Sequence, residues 1–553
     1  MIVKNDLRFY FYEVIKKKNI LILVGDDVDA LCASLILTGL LRCDDAAFSV
    51  VPVATWIDVK KAIAEQEQSQ VIVMLNCGGN RTLSELEIPE ALPVFICDNR
   101  RPFDLDNVYD AEQVRIIVDP KEIEELGVPP IEDVFKEETS SDEDEDEDAE
   151  SYAITMQRRA LKREEKRAWE HRKAQALWRY YSNTWVSLPT SIRILELAFS
   201  LNRATPEFMW LASVGLNSLY VDNLINLQVY SEVCVGRIRQ FIHKFAPKAT
   251  PRSDDLFRIS FDKELTLAVY TSWSLYSAMR VNQFFACKTT NWSQTGEDNM
   301  KKLYARLGIT LAEARQVFSS LSTERKKEIA MILNFETKEH FHTFTAHIGY
   351  SARVTAADTA RIVALKLEAQ RPGSHLVDRF SAATGILKDM MSPGKEIVLQ
   401  KNIEAYKLAL ELVYQYVATA LNQSEIISMG QYYLYACSKV VDEGLMESRH
   451  FLLLFQNFVL EAFASSRKKR RAKPLIVAFP LAGNKEGWHI ISGVMPLGTA
   501  YHDNYLKSVI GGAFEKCESS NLRMLRERFS PDIILLKSED RGRFFEVLQT
   551  VFE

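Results

Sequence analysis

Between residues 16 and 135 the apolar positions fall in short, nearly unbroken runs, each followed by a stretch with helical spacing. "NILILVG" (19–25), "FSVVPVAT" (48–55), "QVIVMLNCGG" (70–79), "PVFICDN" (93–99) and "VRIIVD" (114–119) are rich in β-branched residues. "ALCASLILTGLLR" and "WIDVKKAIAEQEQ", between them, repeat apolar residues every three or four positions. Strands apolar on both faces that alternate with helices predict a parallel, doubly wound sheet over residues 1–135.

The pattern then changes twice. Residues 184–423 show helical periodicity throughout, as in "TSIRILELAFSLN" and "NIEAYKLALELVYQYVATALNQ", and predict a helical domain without strands. From 424 the mixture returns with strand "EIISMGQYYLYACS", helix "SRHFLLLFQNFVLEAFASS", and strands "PLIVAFPLAG" and "GWHIISGVMP" joined through an "NKE" turn. Helix "DNYLKSVIGGAFEKCESS", strand "DIILLKS" and helix "RGRFFEVLQTVF" complete a second, smaller α/β domain over 424–553. The predicted fold class is α/β with an all-α insertion.

Charge adds a boundary. Residues 137–150 carry ten acids and no base, so 136–155 reads as an acidic, disordered linker. Without that tract 64 acids face 68 Lys and Arg, so a chain of formal charge -6 has a mildly basic body. The segment 156–183, "MQRRALKREEKRAWEHRKAQALWRYY" and its flank, predicts a charged helix, first of all a solvated one. A 553-residue chain with 47% hydrophobic residues suggests two to four domains. No apolar run approaches the roughly 18 residues of a membrane span, and the start lacks a signal-peptide core. The eight cysteines lie eleven or more residues apart, which excludes CxxC motifs and predicts reduced thiols of the cytosol or nucleus.

The candidate chemistry sits at strand ends. "VGDDVDA" places Asp26, Asp27 and Asp29 at the carboxyl end of the first long strand, where α/β enzymes build sites. Asp27 and Asp29 share a side in extended geometry and could hold a divalent cation. Equally, Asp29 or a neighbour could simply cap the helix that follows. Later strand ends present Asn76, and then Asp98, Asn99 and Arg100.

This series resembles the DHH phosphoesterase superfamily, which contains the RecJ exonucleases and holds two metal ions with H-x-D-x-D, Asp and D-H-H. The resemblance puts Gly25 at the first histidine, Asp27 and Asp29 at its aspartates, Asn76 at the middle aspartate, and Asp98-Asn99-Arg100 at D-H-H. An amide is a weak ligand, an arginine is none, and the first histidine of the chain is His171. The resemblance therefore implies a degenerate site with no catalytic residue, no metal and no cofactor, where Arg100 or Arg101 neutralises the aspartates.

"DVDALCAS", "LNCGGN", "ICDNRRP", "YTSWSLYSAM" and "GGAFEKC" are similar to blocks of the cell division cycle protein 45 family, the RecJ-like subunits of the eukaryotic replicative helicase. That resemblance implies a nuclear protein acting in origin firing and fork progression. Its implied partners are the MCM ring and the GINS complex, docked on 184–423, with replication initiation factors, DNA polymerases and single-stranded DNA. Residues 424–553 would correspond to the DHHA1 domain, its glycine signature reduced to Gly511-Gly512. The alternative is an active single-strand phosphoesterase with a one-metal site of Asp26, Asp27, Asp29 and Asp98.

Three further motifs stand apart. "RKKRRAK" (Arg467, Lys468, Lys469, Arg470, Arg471, Lys473) is a candidate nuclear-import signal or DNA contact. Ser140 and Ser141, followed by acids, suit an acidophilic kinase. His340, His342 and His347 in "HFHTFTAH" would not converge on one face of a helix, so no metal site is expected there. The absence of G-x-x-x-x-G-K-[ST] excludes an ATPase of its own on that motif.

Overall fold

The computed structural model describes residues 2–3, 6–66, 68–135, 149–239, 241, 257–263, 265–337, 342–348, 352–370, 373–392, 396–437, 444–465, 472–497, 505–518 and 520–552. Near the amino terminus, β1 (Ile2–Val3), β2 (Ile20–Gly25), β3 (Phe48–Val53), β4 (Val71–Leu75) and β5 (Val94–Cys97) precede a short β6 (Arg100–Arg101) and β7 (Val114–Ile117). Six of these form one all-parallel sheet in the order β1-β7-β5-β4-β2-β3. The five long strands follow the apolar runs because both faces are covered. Ile20, Ile22 and Val24 enter one core, while Leu21 and Leu23 enter another. After β3 the chain returns to the far side of β2, so the winding direction reverses between β2 and β4. That switch point, at the carboxyl ends of the strands, is where doubly wound sheets open a crevice.

The helix Val28–Arg42 is apolar on nearly every side, as a helix packed on all sides must be. It lies between the sheet and the helices Thr190–Ser200 and Pro206–Val221. The charged helix spans Ala149–Tyr181, so its first residues lie inside the stretch expected to be linker. Its described side chains are largely exposed until the last turns, as a solvated helix should be. It is moored there by Tyr180 Oη donating to the Phe103 carbonyl (3.0 Å) and by Tyr181 Oη accepting from the Leu105 amide (2.9 Å). A two-residue β8 (Trp185–Val186) then pairs antiparallel with β6.

The middle region departs from the expected all-α organisation. β9 (Phe257–Lys263), β10 (His342–Ile348) and β11 (Ala352–Thr355) form an antiparallel sheet. β9 and β10 pair across about 80 residues of chain, so neither announces itself through a local hairpin. "FRISFDK" does alternate apolar and polar residues at period two, but it is embedded among helices. The middle region also shares its core. One apolar cluster joins Ile22 and Leu31 to Ile192, Trp210, Val363, Tyr406, Phe451 and Val477. Most buried apolar residues of 265–333 gather around a separate core that includes Leu275, Met279, Tyr304 and Leu333, while Val269 and Ala286 join the shared one.

The last sheet comprises β12 (Ile426–Met429), β13 (Tyr432–Ala436), β14 (Leu475–Pro480), β15 (Trp488–Val494), β16 (Met524–Leu525) and β17 (Ile533–Lys537), in the order β12-β13-β14-β15-β17-β16. It is antiparallel except for β13 against β14. The run expected as one strand, "EIISMGQYYLYACS", is a hairpin, because Gly430 turns the chain with φ +69°. One face of this sheet meets the shared core, and the helices Ile510–Glu518 and Arg541–Phe552 cover the other. The eight cysteines are free thiols.

Candidate functional site

The ends of β2, β4 and β5, adjacent at the switch point, bring Gly25, Asp27, Asp29, Asn76, Asp98, Asn99 and Arg100 together. Asp27 is extended and caps the helix Val28–Arg42, its Oδ1 accepting from the Ala30 amide at 2.8 Å. Asp29, in the first turn of that helix, caps a different one. Its carboxylate accepts from the Thr190 amide (2.8 Å), the Ser191 amide (3.0 Å) and Ser191 Oγ (2.6 Å), all at the start of Thr190–Ser200. Both aspartates of the motif therefore cap helices, Asp27 the one that follows it and Asp29 the one that starts at Thr190.

Asn76 ties them. Its Nδ2 donates to Asp27 Oδ1 and to Asp29 Oδ2, both at 3.0 Å, while its Oδ1 accepts from Thr190 Oγ1 (2.6 Å) and the Asn99 amide (3.2 Å). Asn99 adds a fifth donor to Asp29, Nδ2 at 2.9 Å. Asn76 has φ +51°, a conformation asparagine tolerates better than most residues. Its carbonyl thereby receives Arg100 Nη1 at 2.6 Å and fills the space beside Gly25, where a Cβ would come within 2.4 Å of it. Gly25 is therefore coupled to Asn76 and Arg100.

Arg100, 3% exposed, pairs with Asp27 through Nη2 at 2.8 Å and approaches Asp98 at 3.6 Å. Burial opposes its charge, but Asp27 and Asp98 more than compensate and hold its pKa above the ordinary arginine value. Asp98 is further held by the Arg100 amide (3.0 Å) and the Gly79 amide (3.1 Å). Arg101 serves elsewhere, forking onto Glu122 at 2.5 and 3.0 Å. Burial, then the charge of Asp27, pushes the Asp29 carboxyl up, against the lowering hydrogen bonds from Ser191 and Asn76. Burial likewise raises Asp26, with Arg528 the largest opposing influence.

The two metal ions that the DHH superfamily holds do not fit these residues. Two of the donors on Asp29 are backbone amides, the Asn76 amide group lies between the two aspartates, and a guanidinium faces Asp27 and Asp98. No side chain fits at Gly25. Among the described residues, no group of three or more His, Cys, Asp or Glu is arranged to hold a metal.

The remaining candidates lie apart. Ser140, Ser141, His340 and Arg467, Lys468, Lys469, Arg470 and Arg471 fall outside the described residues. His342 and His347 belong to β10, not to a helix. Lys473 is half-buried, donates to the Gly430 carbonyl and sits over the Tyr433 ring at 5.7 Å. Gly511 and Gly512 allow close packing on the end of the charged helix: Cβ atoms there would meet Thr184 Cγ2 at 2.7 Å and the Tyr181 carbonyl at 3.0 Å.

Sequence reasoning missed Thr190, Ser191 and a buried network behind Asp27. In that network Glu368 accepts from the His450 amide (2.8 Å) and Ser448 Oγ (3.0 Å), and His450 bridges Asp222 and Tyr406 at 2.5 and 2.9 Å. Burial, then the charge of Asp222, pushes the Glu368 carboxyl up to about 7. A signal for the first pair existed in "LPTSIRI", where a proline and two hydroxyl residues begin a helix.

Comparison with known proteins agrees with the architecture. The CDC45 family profile matches residues 20–154 and 132–551. The cell division control protein 45 homolog of Homo sapiens is 28% identical over 568 residues, covering 98% of this chain and 99% of the human one. The crystal structure of CDC45 from Entamoeba histolytica superposes with a TM-score of 0.69 at 18% identity, covering all of both chains. RecJ from Thermus thermophilus in complex with Mn²⁺ gives a TM-score of 0.42 at 11% identity, over 98% of this chain and 53% of that one. With its profile matched from the first long strand to the last helix, this chain belongs to the CDC45 family of DNA-replication proteins.

Proposed function

We propose that the chain is a non-catalytic subunit of the replicative helicase, acting in the nucleus with the MCM ring and the GINS complex during origin firing and fork progression. The observation that carries this reading is the filled switch point. Asn76 and Arg100 provide, as amide and guanidinium, the positive groups that face Asp27, Asp29 and Asp98. A site whose carboxylates are all taken by fixed donors is scaffold rather than machinery for metal-assisted hydrolysis. The same reading makes replication initiation factors and DNA polymerases its wider partners, and single-stranded DNA a weak, salt-dependent one.

The middle region is the proposed docking surface. Its separately cored part, 265–333, is supported by exposed apolar residues: Met331 and Phe335 stand one turn apart on the helix Thr323–Thr337, 66% and 87% exposed. Large exposed apolar side chains clustered on one helix face are typical of contact sites. The test pairs two measurements on the purified full chain. Capture of MCM and GINS subunits should fall sharply in a Met331→Asp, Phe335→Asp variant that melts like wild type. A single-stranded oligonucleotide should stay intact with magnesium or manganese. Undiminished capture would move the docking surface elsewhere, and degradation abolished by Asp27→Ala would overturn the non-catalytic reading.

A further inference from the structure

A cavity of about 220 Å³ opens beside the aspartate site, between the residues that follow β3, the start of the helix Leu376–Met390 and the strands β16 and β17. At roughly 30 Å³ per water, it has room for a tetrahedral oxyanion with its hydration. Its lining is unusual for its charge. Arg379, Lys485 and Arg528 contribute cations, and Asp58 and Glu527 contribute carboxylates. Asp58 is already committed, accepting from Thr55 Oγ1 (2.9 Å) and from the Ala54 and Thr55 amides (3.1 and 2.9 Å). Lys485 and Arg528 share one carboxylate, Glu447, at 2.8 and 3.7 Å, and Arg528 Nη2 has no hydrogen-bond partner.

Arg379 is the anomaly. It is 8% exposed, its Nε has no hydrogen-bond partner, and among the described residues no carboxylate lies within ion-pair distance of it. Burial holds its guanidinium below the ordinary arginine range, opposed most by Asp26. Burying a cation without a partner is costly, so such an arginine weakens the fold it sits in. The helix start adds positive potential beside Arg379. Leu376 lines the cavity, and the capping residue His375 provides no side-chain hydrogen bond to the first-turn amides.

We propose that this cavity binds a phosphate group, belonging to a nucleotide or to a nucleic-acid strand, with Arg379 as its main contact and Lys485 and Arg528 at its flanks. A planar guanidinium with free donors matches phosphate oxygens in pairs, and Arg528 Nη2, which has no hydrogen-bond partner, offers one more donor. The inference is independent of the MCM and GINS reading, since it concerns the full chain alone.

The experiment follows the melting midpoint and the binding isotherm of the full chain in phosphate-free buffer. The probes are inorganic phosphate, deoxythymidine monophosphate, and a short oligothymidylate with or without a 5′-phosphate. Inorganic phosphate should raise the wild-type midpoint by several degrees. Arg379→Met should weaken phosphate binding at least tenfold, yet melt at or above wild type when phosphate is absent. A structural arginine would do the opposite. Lys485→Gln, a milder change, should weaken binding about threefold. Preference for the phosphorylated oligonucleotide assigns the site to a strand end, and equal affinity for nucleotide and inorganic phosphate assigns it to a free phosphate. A wild-type chain that ignores every probe, or an Arg379→Met chain that responds like wild type or melts well below it, would overturn the proposal.

Discussion

Two buried arginines of this molecule both act on Asp26, under opposite conditions. Arg100, 3% exposed, faces two aspartates and donates to a backbone carbonyl. Arg379, 8% exposed, faces a cavity with no carboxylate in ion-pair range among the described residues. Burial opposes the charge of both, but near Arg100 the aspartates outweigh it and near Arg379 Asp26 does not. The difference separates two uses of interior charge. A matched cation makes its surroundings rigid and leaves nothing for a ligand, whereas an unmatched one weakens the fold and keeps donors available. Function is therefore better sought at Arg379 than at the site that carries the more familiar motif.

The strongest challenge to that contrast is Asn76→Asp. It replaces both bridging N–H donors with a third carboxylate between Asp27 and Asp29, and should remove on the order of 4 kcal/mol, read from urea denaturation. Wild-type stability would mean that the site is looser than its geometry. Next, Arg100→Met should remove on the order of 3 kcal/mol, because Asp27 and Asp98 stay buried without their partner. A variant that melts like wild type would erase the distinction between the two arginines.

Glu368, between the two regions, gives the contrast a pH axis. Its carboxyl is pushed up to about 7, so the folded chain holds a proton that the unfolded chain releases near 4.5. The stabilisation from that proton is complete below about 4.5 and is lost as pH rises through 7. Glu368→Gln should match wild type near pH 5 and exceed it near pH 8 by on the order of 2 kcal/mol, measured by parallel denaturation curves. A pH-independent difference would show that the carboxyl is ionised throughout. The smallest expected effect has the opposite sign to the arginine loss at position 100. Arg379→Met, in phosphate-free buffer, should gain about 1 kcal/mol by removing donors that lack acceptors.

Much of this arrangement could be read from residue order. The five long strands of the first sheet are legible because both faces are buried and their apolar runs are unbroken, and Asp27, Asp29, Asn76 and Asp98 follow as their ends. What stayed hidden depends on distance along the chain. Thr190 and Ser191 reach Asp29 from about 160 residues away, and although "LPTSIRI" marks a helix start, nothing local says which carboxylate it meets. The β9–β10 pairing has the same origin, as does the cavity around Arg379, whose cations come from three separate segments. The hairpin at Gly430 was hidden for a nearer reason, since a lone glycine inside a β-rich run also fits a continuous strand.

The capping of Asp29 by a later helix also bears on how the molecule is made. A nascent chain that has emerged as far as residue 135 holds β2, β4 and β5, so its sheet can form, but Asp29 lacks the three donors of Thr190 and Ser191. Only after the charged helix and the next ten residues leave the ribosome can that carboxylate gain its full set of five donors. At about 5–20 residues per second, this is a delay of several seconds. The amino-terminal site is thus finished by the middle of the chain, and a ribosome that stalls in between holds Asp29 with two of its five donors, Asn76 and Asn99.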